Sequence, residues 1–284
     1  MAHAHGEPVA VAPDARVDLH IHSSASDGEL DPAAVVAAAV AGGLQVIALA
    51  DHDTTAGVPS AQRAALPGLR IIPAVELSTT SQGSERHILG YHIDPEHPRL
   101  LEHAAVARSQ RRDRVRRILD RLGDAGVQLA LEEVEREADA SAAPLGRPHV
   151  ARALVARGYA RTVADAFDRW LGDSGPAFVP TDILTPAQAI ELIHSAGGLA
   201  IWAHPAPEQL QLELDTLAAE GLDGVECYRP RVEPADAERA AALARDRHLL
   251  VSGGSDWHGA WHGPLGSFAV TAAQVTALLA AAGR

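Results

Sequence analysis

Residues 17–30 read VDLHIHSSASDGEL. The first half alternates apolar and polar side chains as a strand does, and residues two apart on a strand project to one face. His20 and His22 therefore point the same way. A short polar run follows and ends in Asp27-Gly28. A strand that closes on two parallel imidazoles, with a carboxylate just beyond, is a place to chelate an ion, and the pattern recurs along the chain.

The runs QVIALADH (45–52), LRIIPAVELS (69–78) and RHILGYH (86–92) are strand-like, and DPAAVVAAAVAGG (31–43) is a helix with Asp31 as cap, Pro32 in its first turn and glycines at its end. Alternation of this kind predicts a parallel α/β sheet or barrel. Residues 99–184 break it and read as mostly helical, with LLEHAAVARSQRRDRVRRILDRLGDAG as a long amphipathic helix and TVADAFDRWLGDSG as a second. After Thr185-Pro186, strand-like GLAIWAHP (198–205), GVECYR (224–229) and LLVSGGSDWH (249–258) return, with SFAV (267–270) as a last short candidate. The expected architecture is an α/β barrel of about seven strands, divided into a loose tail (1–16), a first barrel part (17–98), a helical insertion (99–184) and a second barrel part (185–284). His3 and His5 fall in the tail and are not expected to be ligands.

In (β/α) barrels the C-terminal strand ends converge on one mouth. That mouth would gather His20, His22, His52, His87, His204 and His258 with Asp27, Glu76 and Asp256. These are too many donors for one ion. Two or three divalent ions are expected, with Glu76 as the bridge because it is the one glutamate at a strand end. Imidazole and carboxylate without thiolate suit Mn²⁺, Fe²⁺ or Zn²⁺ alike, and Mn²⁺ is the expected ion. Asp51 and Asp53 flank His52 and are read as residues that orient imidazoles or the nucleophile rather than as ligands.

The whole chain sets bounds on partners. Of 284 residues, 24 are basic and 37 acidic, a net charge of −13 that disfavours duplex DNA and anionic membrane. The single cysteine, Cys227, excludes a disulfide framework and a Cys-based zinc site. No apolar run is long enough to span a bilayer, and the start, MAHAHGEPVAVAPDA, lacks a secretory pattern, so a cytoplasmic protein is expected. No obligate protein partner is evident. Arg108, Arg111, Arg112, Arg114, Arg116, Arg117 and Arg121 are read first as a solvated helix face paired with Asp113 and Asp120. His97, His103, His194 and His248 carry no motif, and His92 is read as a hydrogen-bonded core or rim residue.

Taken in order, DLHIHSSASDG, LADHDT, VELS, RHILGYH, AHP and GSDWH resemble the PHP (polymerase and histidinol phosphatase) family of metal-dependent phosphoesterases. The resemblance implies a distorted (β/α)7 TIM-like barrel. It implies one ion on His20, His22, Glu76 and Asp256, a second on Asp27, His52 and His258, and a third on Glu76, His87 and His204. The segment GRPHVARALVARGYA (146–160) resembles the subgroup that removes phosphate from 3′,5′-nucleotide bisphosphates and trims short RNA from its 5′ end. There an arginine and a histidine of an RxH segment contact substrate phosphate, and the matching positions are Arg147 and His149. The expected substrate is a small phosphorylated nucleotide or short RNA, attacked at phosphorus by a metal-activated hydroxide. Three divalent ions set against three carboxylates leave a local charge of about +3, so an acidic protein still captures phosphate. A histidinol-phosphate-type phosphatase is the alternative, and a non-catalytic metal-binding module the third reading.

Overall fold

The computed structural model describes residues 11–81, 84–138, 144–181 and 183–281. His3 and His5 lie outside them. The chain opens with β1 (Arg16–Ile21), α1 (Pro32–Ala41), β2 (Val46–Leu49), α2 (Val58–Arg63), β3 (Arg70–Ser81) and β4 (Ser84–Tyr91). Helices α3 (Pro98–Asp124), α4 (Leu131–Arg136), α5 (Arg147–Ala156) and α6 (Val163–Ala166) follow. The alternation resumes with α7 (Pro186–Ser195), β5 (Leu199–Trp202), α8 (Pro207–Ala219), β6 (Gly224–Tyr228), α9 (Pro234–Asp246), β7 (Leu250–Gly253), β8 (Val270–Thr271) and α10 (Thr276–Ala280).

The strands form one sheet in the order β7-β6-β5-β4-β3-β2-β1-β8. It curls into a nearly closed barrel. Past β7 the chain returns to β1, where Ile21 bridges Trp257 in parallel and the His22 N–H donates to the Trp257 carbonyl at 2.9 Å. Gly254 permits this approach, since a Cβ there would lie 2.5 Å from the His20 nitrogen. The barrel is therefore of the expected distorted TIM-like kind. The distortion is β4, which pairs antiparallel with both β3 and β5. A uniformly parallel alternation does not anticipate it. Ser81 at the end of β3 already pairs with Ser84 at the start of β4, so the two strands form an antiparallel hairpin.

Local chemistry fixes the helix starts. Asp31 accepts from the N–H groups of Ala33 and Ala34, both at 2.9 Å, ahead of Pro32. Thr185 accepts from Gln188 N–H at 3.3 Å while Gln188 accepts from Thr185 N–H at 2.9 Å, a reciprocal cap for α7. The expected second insertion helix is shorter than read. Four residues of α6 pass into a wider π turn at Phe167–Leu171, closed by Gly172 N–H on the Phe167 carbonyl at 2.8 Å.

Two apolar clusters line the barrel and its α1 side, the first centred on residues such as Leu19, Leu77, Leu89 and Trp202. A separate cluster joins Val115, Ile118 and Leu122 of α3 to Val150 and Leu154 of α5 and to Leu171. The segment between β4 and β5 thus carries its own core. The tail expected through residue 16 ends earlier, because Ala15 is buried and Arg16 already belongs to β1. The arginine run on α3 also departs from a solvated face. Arg111 and Arg114 are only 3% and 6% exposed. They share the 3.6-residue stripe of His103, Ala107, Val115, Ile118 and Leu122, which faces inward. Among the described residues, no helix is long and apolar enough to cross a membrane.

Candidate metal centre

Glu76 sits near the middle of β3 and is fully buried. Its Oε2 lies 3.2 Å from His20 Nε2, 3.2 Å from His22 Nε2 and 3.1 Å from His52 Nδ1. Its Oε1 lies 2.9 Å from His87 Nδ1 and 3.1 Å from His204 Nε2. One carboxylate therefore meets five imidazoles, from β1, the β2 end, β4 and the β5 end. Asp256 Oδ1 adds contacts at 3.4 Å to His20 and 3.3 Å to His22. Asp27 Oδ1 lies 3.4 Å from His258 Nε2, and its Oδ2 lies 3.9 Å from His52 Nε2. All nine side chains expected at the mouth are gathered there.

Their atoms fall into three overlapping groups: His20, His22, Glu76 and Asp256; His22, Asp27, His52 and His258; and His52, Glu76 and His87. The second group gains His22 relative to expectation. The third holds His52 where His204 was expected, although His204 keeps its contact with Glu76. His20 Nε2, both ring nitrogens of His22, His52 Nδ1 and Glu76 Oε2 are buried without a hydrogen-bond partner among the described residues. Orphaned lone pairs at such density are costly unless a cation takes them up. Nitrogen and oxygen donors of this kind fit divalent ions.

The charges are mutually adjusted. Burial works to raise Glu76, but His52, His20 and His87 hold it well below the usual carboxylate range. Burial likewise opposes ionisation of Asp27 and Asp256, and neighbouring histidines again hold both well below it. Burial would depress His22, yet Asp256 and Glu76 push it up to about 10. Three residues of the mouth, Asp53, His204 and Asp256, take left-handed backbone with φ of 54°, 32° and 53°. Such strain in non-glycine residues concentrates where side chains must be aimed.

Residues behind the cluster hold it in place. Glu226 on β6 went unnoticed in the sequence, because GVECYR carries no motif. Its Oε1 lies 2.9 Å from His20 Nδ1, and its Oε2 accepts the His204 backbone N–H at 2.8 Å. Asp18 accepts from Ser255 N–H at 2.8 Å, and burial raises its pKa to about 6. Asp51 and Asp53 do not reach an imidazole of the cluster. Asp51 instead accepts from Ser23 N–H at 2.8 Å, Ser23 Oγ at 2.7 Å and Ser26 Oγ at 2.7 Å, fixing the loop that carries Asp27. Asp53 binds Arg111 Nε at 2.7 Å, lies 3.1 Å from His103 Nε2 and accepts from Ser78 N–H at 2.9 Å. It ties α3 to the barrel. His103, which carried no sequence signal, is thereby a buried partner.

A cleft of about 670 Å³ opens over the cluster, between the barrel mouth and the insertion. Its near wall includes His52, His87 and Asp256; its far wall includes Arg111, Arg114 and Arg147. Arg147 Nη1 donates to Asp173 at 2.7 Å and Nη2 to Glu85 at 2.9 Å, with Phe178 5.3 Å from the guanidinium carbon. His149 does not line this cleft. It is 1% exposed, and its Nδ1 accepts the Gly146 N–H at 3.0 Å, so it caps α5. Burial pushes its pKa down to about 4.

A family model described as the PHP domain matches residues 18–171. The chain is 39% identical over 249 residues to the 5′-3′ exoribonuclease Rnm of Escherichia coli, covering 85% of this chain and 84% of that one. It is 34% identical over 252 residues to the 3′,5′-nucleoside bisphosphate phosphatase of Chromobacterium violaceum, covering 86% and 87%. A solved structure from Bifidobacterium adolescentis, which carries the provisional name of metal-dependent phosphoesterase, superposes with a TM-score of 0.81 at 31% identity over 93% of this chain and 95% of that one.

Proposed function

The chain belongs to the PHP domain family and is a metal-dependent phosphoesterase, and on that premise we propose that it acts on nucleotides carrying phosphate at both ends of the ribose, and on short RNA. The observation that supports this reading is the two-walled cleft. One wall is the His/Asp/Glu cluster and the other is lined by Arg111, Arg114 and Arg147. A substrate with two anionic groups spans such a cleft, one phosphate at each wall. The 3′,5′-bisphosphate handled by the named Chromobacterium relative has that form.

In this reading His20, His22, Glu76 and Asp256 hold one divalent ion, Asp27, His52, His258 and His22 a second, and His52, Glu76 and His87, with His204 beside them, a third. We take Mn²⁺ as the ion, with Fe²⁺ or Zn²⁺ compatible with the same donors. Bound ions supply Lewis acidity toward the phosphoryl oxygens and bring a water within reach of deprotonation near neutral pH. The protein does the rest. Glu226 fixes the His20 ring, so that Nδ1 faces the carboxylate and Nε2 faces the cluster. Arg147 anchors the non-reacting phosphate once Asp173, which is 75% exposed, yields its place. Arg114 shares that work from α3. His149 acts through the α5 cap that positions Arg147 and does not touch substrate.

Phosphate release from a nucleoside 3′,5′-bisphosphate with Mn²⁺ supplied, against histidinol phosphate as competitor substrate, tests the proposal. Preference for the bisphosphate is expected, with Arg147→Ala reducing that preference while metal content is retained. Equal or greater turnover of histidinol phosphate favours the alternative phosphatase and removes the arginine wall from the argument.

A further inference from the structure

The cleft under the insertion is joined by another opening onto the metal centre. A second groove of about 460 Å³ runs away from it between the loop after β6 and the loop after β7. The two share a rim of His204, Arg231, Asp256, Trp261 and His262. Beyond the rim the groove is lined by Arg229, Ser267 and Phe268, none of which borders the first cleft. It is thus a separate exit from the same reacting point.

Its chemistry is that of a nucleic-acid strand site. Arg231 is exposed and, among the described residues, makes no hydrogen bond or ion pair. It is held in a left-handed backbone with φ of 64°, a strained way to present a cation. Trp261 is 40% exposed, a large indole left partly in water beside the centre, with its ring 3.8 Å from that of His262. His262 Nδ1 accepts the His258 N–H at 3.2 Å, which leaves its other nitrogen to donate outward. The loop is tied down rather than loose. Ala260 N–H donates to Glu29 at 2.6 Å, and Trp257 Nε1 donates to the Gly263 carbonyl at 2.9 Å. Arg229, which donates one Nη2 bond to the Pro205 carbonyl at 2.9 Å, lines the groove with Arg231, and an aromatic face beside such arginines binds single-stranded nucleic acid by stacking and phosphate contact.

We propose that this groove holds the nucleotide downstream of the scissile phosphate in an RNA substrate, with Trp261 stacking on its base and Arg231 and Arg229 facing its phosphate. The proposal rests on the nucleotide reading above and specifies where the longer substrate goes. Both substrates then share one bond cleavage. Water oxygen adds to phosphorus, the P–O3′ bond breaks, and the 3′ oxygen leaves with a proton from that water. For the bisphosphate the phosphorus departs as inorganic phosphate. For RNA it departs carrying the rest of the chain on its 5′ oxygen, and that chain needs an exit. The terminal nucleotide occupies the first cleft in both cases.

The test compares kcat/KM on a nucleoside 3′,5′-bisphosphate and on a 5′-phosphorylated RNA tetramer for Arg231→Glu, Trp261→Ala and Ser267→Glu. The ratio of RNA to bisphosphate turnover should fall about tenfold in each, the scale of one lost stacking or phosphate contact. Ser267→Glu places the repelling charge at an exposed groove position that does not border the first cleft, so it guards against misfolding at the rim. In chelator, 4-thiouridine at the second position of the tetramer should crosslink within residues 255–268. An unchanged ratio in all three variants, or crosslinks confined to α5 and α6, overturns the proposal and leaves the nucleotide reading standing. A wild-type protein inert toward both substrates overturns the nucleotide reading and this proposal with it.

Discussion

Arg147 Nη2 donates to Glu85 Oε2 at 2.9 Å, and the other oxygen of that carboxylate takes Arg114 at 2.5 Å. One acid at the start of β4 therefore binds both α3 and α5. It also accepts from the Thr181 N–H at 2.8 Å, where the chain returns toward the barrel. The arginines of the far wall are therefore held by the barrel itself, Arg114 and Arg147 by Glu85 and Arg111 by Asp53.

Glu85→Gln should loosen the insertion. Burial tends to raise the Glu85 pKa, but Arg114 and Arg147 lower it to about 2 from an ordinary 4.5. A depressed carboxylate pKa means stability that is present above the ordinary value and lost as pH falls through the folded one. Urea unfolding of chelated protein should show wild type more stable than the variant by about 3 kcal/mol at pH 6. That gap should close between pH 4.5 and 2. A gap independent of pH would show that Glu85 acts by packing alone.

Glu76→Gln keeps the shape of the bridge and halves its coordinating capacity. Because Glu76 meets five imidazoles, metal analysis after dialysis should show the variant losing more than one ion per chain. His22→Ala should lose at least one. Full stoichiometry in either variant contradicts the ligand sets.

His149 should not appear in the pH–rate profile. With its pKa pushed down to about 4 by burial, it stays neutral from pH 5 to 8. His149→Gln can still accept the Gly146 N–H and should retain most activity. His149→Ala loses that cap, at a cost of about 1 kcal/mol of stability. A limb of the wild-type profile that vanishes in His149→Gln would instead make it an acid or base.

Glu226→Gln and Asp51→Asn should weaken metal binding without being ligands. The first disturbs the His20 ring and the second the loop that carries Asp27. Losses of roughly 10- to 100-fold in metal affinity are expected from such outer contacts. Metal titration followed by intrinsic fluorescence checks this, and unchanged affinity in both would place the control of the site elsewhere.

Much of the mouth was legible because period-2 alternation states which residues share a face. His20 and His22 follow from that rule alone, and strand ends converging in a barrel bring in the other seven. The β3–β4 reversal was not legible, since LRIIPAVELS and RHILGYH read as strands in either direction. Glu226 hid within an apolar strand, where a single acid has no spacing to announce it. Arg111 and Arg114 were misread because seven arginines between residues 108 and 121 of one helix suggest a wet face. Yet they lie on the same stripe as Ala107 and Ile118, a signal that helical phase would have exposed. His149 was placed by resemblance to an RxH pattern, but its ring turns back to accept the Gly146 N–H at the start of α5, a cap that the motif does not encode.

The central claim is that nine side chains from distant parts of the chain form one multinuclear metal centre around Glu76. Crystals grown with manganese and measured by anomalous scattering test it most directly. Two or three peaks should lie among His20, His22, Asp27, His52, Glu76, His87, His204, Asp256 and His258, with Glu76 touching at least two of them. Peaks elsewhere on the molecule, or none at the mouth with manganese in excess, would contradict it.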